Sequence, residues 1–187
     1  MKLGEYTAKN PIVPFIRESE FAVRKPWVVA RRRLLDYLLI YVREGRMTVE
    51  QNGIEHKFSY GDFCLLQPRD MIELRGTTST ITPFAHLDIF YNAQREDSFP
   101  APPGMVDLAP YKHLVQPRLD DFTDVAVPIK LAPPNPAWFR DTMLKMVGVW
   151  QSRDPISQLE AQNLAAELVL SILKSCTDAS APPAPSP

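Results

Sequence analysis

Residues 41–68 read YVREGRMTVEQNGIEHKFSYGDFCLLQP. Three turn signals cut this stretch: Glu44-Gly45, Asn52-Gly53 and Gly61-Asp62. Glycine takes positive φ at little cost, and Asn-Gly between alternating segments is the strongest short hairpin signal, a type I′ turn. RMTVE and IEHKFS alternate on its two sides, and FCLLQ follows the next turn. Upstream, YLLIYV is rich in strand formers. Downstream come MIEL, after the Pro68-Arg69-Asp70 turn, and ITPFAHLDIFY, with Pro83 near its start or at a bulge. Many short strands joined by tight turns predict a β-barrel or sandwich.

Outside this region the pattern changes. Residues 1–30 read as an N-terminal arm with one or two short strands. Nine of the 19 prolines lie between Asn92 and Ala137. Proline lacks the backbone donor that strands and helix interiors need, so this segment is an irregular connection. Asn135-Pro136 and Asp154-Pro155 each place a capping side chain before a proline at the first helical position. Helices are predicted over 136–151 and 155–176. In the first, Phe139, Met143, Met146 and Trp150 share one face. The second has a narrow polar stripe (Glu160, Asn163, Glu167, Ser171, Lys174) and is otherwise apolar, too wide a face for one surface alone. The closing SAPPAPSP, within 177–187, reads as an extended linker or tail.

The 187 residues carry a net charge of −1, with 45% apolar and 23% charged residues, which is ordinary for a globular chain and unlike one built to coat nucleic acid. Cys64 and Cys176 fit neither a disulfide framework nor a zinc spacing. The N-terminus lacks the apolar core of a signal peptide, and no apolar run approaches the roughly 20 residues of a membrane span. A cytoplasmic location is expected.

The turns and strand order of residues 31–134 resemble the cupin fold, a double-stranded β-helix. Metal-binding cupins carry two histidines and a glutamate in one motif and a further histidine in a second. With Gly45 closing the first motif and Gly61 opening the second, these positions hold Arg31, Arg33, Leu38 and Ile72. Arginine has no lone pair for a metal, and neither aliphatic can ligate. No metal and no other cofactor is expected. DYLLIYVREGRMTVEQNGIEHKFSYGDFCLLQP, followed by FAHLDIFYN and a helix pair, is similar to the sensing domain of AraC-type transcription regulators. The resemblance implies a mainly β, cupin-like barrel holding a small effector, often a sugar, and two C-terminal α-helices, residues 135–176, that pair subunits into a homodimer. It also implies a DNA-binding helix-turn-helix domain, absent from these 187 residues. The expected function is thus small-molecule sensing and dimerisation, not catalysis. The alternative is a stand-alone metal-free cupin acting on a carbohydrate.

The overlay turns Arg31 and Arg33 into the barrel, where a guanidinium fork suits a carboxylate, a phosphate or polyol hydroxyls. Phe84 and His86 share a face under strict alternation and would form an aromatic, hydrogen-bonding wall. Asp36 and Glu44 are not expected to form a catalytic pair, and no catalytic residue is assigned. On the second helix, Leu164, Leu168 and Ile172 form one apolar row, and Leu159, Ala166, Leu170 and Leu173 another. Either could carry the dimer contact. Elemental analysis of protein purified without chelator is expected to find no stoichiometric zinc, iron or manganese; finding one would remove the basis of the overlay.

Overall fold

The computed structural model describes residues 1–178. The predicted tail at 177–187 therefore lies almost wholly outside the described residues. A short helix, α1 (Leu3–Thr7), precedes the strands β1 (Ile12–Glu20), β2 (Val23–Arg24), β3 (Trp27–Arg33), β4 (Tyr37–Tyr41), β5 (Arg46–Gln51), β6 (Ile54–Ser59), β7 (Phe63–Leu66), β8 (Met71–Gly76), β9 (Thr80–Ile81) and β10 (Phe84–Phe90). After the proline-rich connection come β11 (Lys130–Leu131), α2 (Pro136–Trp150) and α3 (Pro155–Asp178). The fold is a mainly β, cupin-like barrel followed by two C-terminal helices.

Its walls are a five-stranded sheet, β1-β10-β4-β7-β11, and a four-stranded sheet, β3-β8-β5-β6, with a β2-β9 ribbon between them. β1 pairs antiparallel with β10 inside the larger sheet. The expected arm at 1–30 is thus largely barrel wall. Asn52 and Gly53, at φ 50° and 86°, close the β5–β6 hairpin with Gln51 opposite Ile54.

The larger sheet is covered on both faces. All five residues of β4 are buried. Leu38 and Ile40 point into the barrel with Met47, Phe58, Leu66 and Leu74. Tyr37, Leu39 and Tyr41 point outward and pack with Phe139, Met143, Met146 and Trp150 of α2 and Leu168, Val169 and Ile172 of α3. Strict alternation with both faces apolar explains why YLLIY reads as one continuous run. The helices start where their caps predict: the Asn135 side chain accepts from the Trp138 N–H, and the Asp154 side chain from those of Ile156 and Ser157.

The structure also separates the two rows of α3. Leu168 and Ile172 are 1% and 3% exposed, inside the chain's own core, and Leu164 packs partly against them. As dimer candidates Leu168 and Ile172 are corrected, since they close the barrel's outer face, whereas Leu164 is only partly buried. Leu159 and Leu170 are 71% and 53% exposed, and Ile156 is 80% exposed. Leu173 lies at the edge, half-buried.

Two turn glycines differ in what surrounds them. At Gly45 (φ +83°) an added Cβ would lie 2.1 Å from the Ser79 carbonyl oxygen; at Gly61 (φ +91°) nothing lies within 4 Å. Both substitutions force a left-handed residue, but only one also collides with backbone. Gly45→Ala is expected to cost about 3 kcal/mol or more and Gly61→Ala about 1 kcal/mol, read from urea midpoints. Equal losses would show that the Ser79 contact is absent.

Candidate functional site

A cavity of about 280 Å³ opens at one end of the barrel. Its floor is apolar: Leu38 and Ile40 of β4, Met47 of β5, Leu74 of β8 and Phe84 of β10. Residues 100–103, Pro-Ala-Pro-Pro, lie across it as a strap. Polar groups converge on it from Glu18, Arg24, Arg32, Thr82 and His86.

The arginine that turns inward is not one of the two predicted. Arg31 lies outside and pairs with Glu50 at 2.6 Å, both well exposed. Arg33 donates to the Arg69 carbonyl at 3.0 Å and lines a separate open groove with Arg69 and Lys112. Arg32, 8% exposed, lines the cavity. The cause is a β-bulge. β3 pairs with β8 with Val29 opposite Leu74 and Arg32 opposite Ile72, so three steps on one strand match two on the other. Ala30 and Arg31 are then consecutive exposed residues, and the inward face passes from Val29 to Arg32. Strict alternation would have turned Arg31 and Arg33 inward.

Arg32 Nη1 donates to the carbonyl of Ala101, tying β3 to the strap. Its Nε is buried without an acceptor among the described residues. Burial lowers the Arg32 pKa from its ordinary value, with the charges of Asp36 and Glu18 opposing that shift. Arg24 lies 4.9 Å over the Trp27 ring and 6.0 Å from the Phe84 ring centre, placing a second cation on the aromatic rim.

Phe84 and His86 both line the cavity, edge to face with centroids 6.0 Å apart. His86 Nδ1 lies 3.0 Å from Oδ1 of Asp36, which is fully buried. That carboxylate orients the ring with an Nδ1–H donor, leaving Nε2 for the cavity. Behind the ring lies an ionic cluster. Arg17 grips Asp88 with Nε and Nη2, donates to the carbonyls of Arg95 and Ser98, and brings Nε within 3.9 Å of Asp36 Oδ2. Burial raises the Asp88 pKa to about 6, against the pull of Arg17 and with a smaller upward push from Asp36.

Sequence reasoning missed Arg32, Asp36 and Arg17. The 50-residue separation of Asp36 from His86 left no local signal for their contact. Glu44 is bridged to Ile81 through the backbone and does not line the cavity. Leu38 lines the cavity and Ile72 is core. Among the described residues no group of three or more histidine, cysteine, aspartate or glutamate side chains is placed to hold a metal ion. Burial pushes the Cys64 thiol far up, so it is a core side chain rather than a nucleophile.

No family model matches the chain, and no curated protein matches it. Among solved structures it is similar to ToxT from Vibrio cholerae O395 bound to (E)-4-(8-methylnaphthalen-1-yl)but-3-enoic acid, at 10% identity over 88% of this chain and 57% of that one, with a TM-score of 0.44. A variant of salicylate 1,2-dioxygenase from Pseudoaminobacter salicylatoxidans is similar at 18% identity over 71% of this chain and 41% of that one, with a TM-score of 0.40. A DUF861 family protein from Thermotoga maritima is similar at 17% identity over 47% of this chain and 88% of that one, with a TM-score of 0.25. The chain thus spans less than two thirds of the ToxT and dioxygenase chains. These likenesses concern the fold. They also correct one expectation: an oxidative enzyme stands among the fold's neighbours, so the exclusion of catalysis does not hold. No helix among the described residues is long and apolar enough to cross a membrane.

Asp88 makes a pH prediction. Its folded pKa, about 6, lies above the ordinary carboxylate value of 3.8, so the folded protein keeps a proton that the unfolded chain releases. The stability tied to this group is present below about pH 4 and is lost as pH rises through about 6. In urea titrations between about pH 4 and pH 7, wild type should lose up to about 3 kcal/mol relative to Asp88→Asn. Parallel pH profiles would show that Asp88 is ionised throughout.

Proposed function

We propose that this chain is the effector-binding and dimerisation domain of an AraC-type transcription regulator, cytoplasmic, with its DNA-binding helix-turn-helix domain lying outside these 187 residues. One observation carries the reading: a single sheet separates the cavity from the outward helix. β10 presents Phe84 and His86 to the cavity, while its Leu87 and Ile89 pack against Leu168, Val169 and Ile172 of α3. A ligand that shifts β10 therefore presses directly on the helix whose far side is unpaired.

That far side has the spacing of a helix pair. Ile156, Leu159, Asn163, Ala166, Leu170 and Leu173 recur at alternating intervals of three and four, the a and d positions of a heptad pattern. Laid antiparallel on a second copy, Ile156 meets Leu173, Leu159 meets Leu170, and Asn163 meets Ala166. The same pairs repeat on the other side of the twofold, as an isologous contact requires. Each leucine buried contributes about 2 kcal/mol, enough over both copies to offset the cost of association.

A second reading, a cupin enzyme, is favoured by the Asp36–His86 pair, which holds an oriented imidazole at the cavity and could move a proton there. Incubating cavity ligands with the protein and recovering them unchanged supports the sensing reading; conversion supports the enzyme.

Assembly is tested by two glutamates. Leu170→Glu should give a folded monomer, and Leu168→Glu, which buries a charge in the core, should unfold the chain. Sedimentation and circular dichroism read both. A wild-type monomer at tens of micromolar would refute the dimer, as would an unchanged dimer in Leu170→Glu.

A further inference from the structure

We infer that the barrel cavity takes a small monocarboxylate with an apolar body, its carboxylate bound side-on to Arg32 and its tail among Leu38, Met47, Leu74 and Phe84. This rests on the effector-binding reading and deepens it by naming the ligand class.

Arg32 carries the argument. A guanidinium has five donors, and a buried one is ordinarily satisfied. Here Nη1 is used by the Ala101 carbonyl, while Nε is buried and has no acceptor among the described residues. Nε and the neighbouring Nη2 form the side-on edge that matches the two oxygens of a carboxylate. Leaving the buried Nε unpaired is costly in a protein interior, and a bound carboxylate would supply its acceptor while its second oxygen meets Nη2. The other groups at the cavity agree. Arg24 adds a second positive charge; Glu18, at the exposed mouth, is the carboxylate that lines the cavity, and Asp36 acts on Arg32 from behind His86. His86 Nε2, with Nδ1 held by Asp36, adds a further polar contact.

The remaining wall argues for an apolar body over a polyol. Leu38, Ile40, Met47, Leu74 and Phe84 offer no hydrogen bond, and a sugar would bury its hydroxyls against them unpaired. The volume, about 280 Å³, lies just below the usual range of small-molecule sites and suits a small ligand. The same guanidinium that would hold the carboxylate also holds the strap through Ala101, which is fully buried. Ligand and strap thus share one anchor.

The test uses the full 187-residue chain, with benzoate and hexanoate as probes, benzamide and hexanamide as neutral counterparts, and arabinose and glucose as polyols. Trp27 lines the cavity, so its fluorescence reports occupancy, with Trp27→Phe as the control for the other two tryptophans. At least one carboxylate should bind and its amide should bind tenfold more weakly or not at all. Arg32→Gln should weaken carboxylate binding at least tenfold. Because that variant also loosens the strap, Glu18→Gln is the second arm: it removes the opposing charge at an exposed position and should tighten carboxylate binding several-fold. Equal binding of acid and amide, or no effect of Glu18→Gln, overturns the assignment. A sugar that binds at Trp27 while the carboxylates do not overturns it too, but leaves the effector-binding reading standing. A carboxylate that binds through Arg32 and is recovered chemically changed keeps the assignment and removes the sensing reading.

Discussion

The rest of the structure depends on one constraint: the five-stranded sheet must be buried on both faces. β4 has no charged side chain among Tyr37–Tyr41, and its neighbours β7 and β10 are buried along their whole lengths. The second sheet covers one face and makes the barrel. The other face would be a large exposed apolar patch without α2 and α3. The helices are therefore part of the barrel's stability rather than an appendage to it. Phe139, Met143, Met146 and Val147 are fully buried against it.

Polar groups inside such a sheet must be satisfied, and the chain does this by clustering them. Arg17, Asp36, Asp88 and His86 neutralise and orient one another beneath the cavity. At the other end of the barrel, the buried Asp70 carboxylate accepts from Gln51, Asn52, the Gln67 N–H and Arg118. It thereby ties the β5–β6 hairpin to the proline-rich segment. Gln116 does similar work, its oxygen accepting from the Ile89 and Phe90 N–H groups and its amide donating to the Phe90 carbonyl. Among the described residues four buried side-chain atoms lack a partner, Arg32 Nε, Asp36 Oδ2, Ser98 Oγ and Trp150 Nε1, and of these the Arg32 donor belongs to a side chain that lines the cavity and is tied to the strap through Nη1. A buried donor without a partner is where a ligand would be expected to act, because binding relieves a cost already present in the fold.

The two-faced sheet also links the sites. The inner face of β10 borders the cavity and its outer face borders α3, whose opposite side exposes Ile156, Leu159 and Leu170. Gln162 on α3 accepts from the Ile16 N–H of β1, and Gln151, just after α2, donates to the Ser19 carbonyl of the same strand. Sheet and helices are thus joined by hydrogen bonds as well as packing. A change at either surface has a short physical route to the other.

Much of the fold was legible locally. The Asn52-Gly53 turn, the period-2 strands, the two Asn/Asp-Pro helix starts and the apolar face of α2 are set by near-neighbour sterics and periodicity, which a single sequence carries. Phe84 and His86 could be assigned to one face because β10 alternates without interruption. Three features could be decided only by the tertiary structure. The bulge between Val29 and Arg32 depends on how β3 meets β8, and it replaced Arg31 and Arg33 with Arg32 at the cavity. Both rows of α3 are leucine-rich, and only docking on the sheet buried Leu168 and Ile172 and left Leu159 and Leu170 outside. The Asp36–His86 contact joins residues 50 apart in sequence. Each of these is a long-range pairing, in which one residue's environment is supplied by another segment, and no local pattern encodes that.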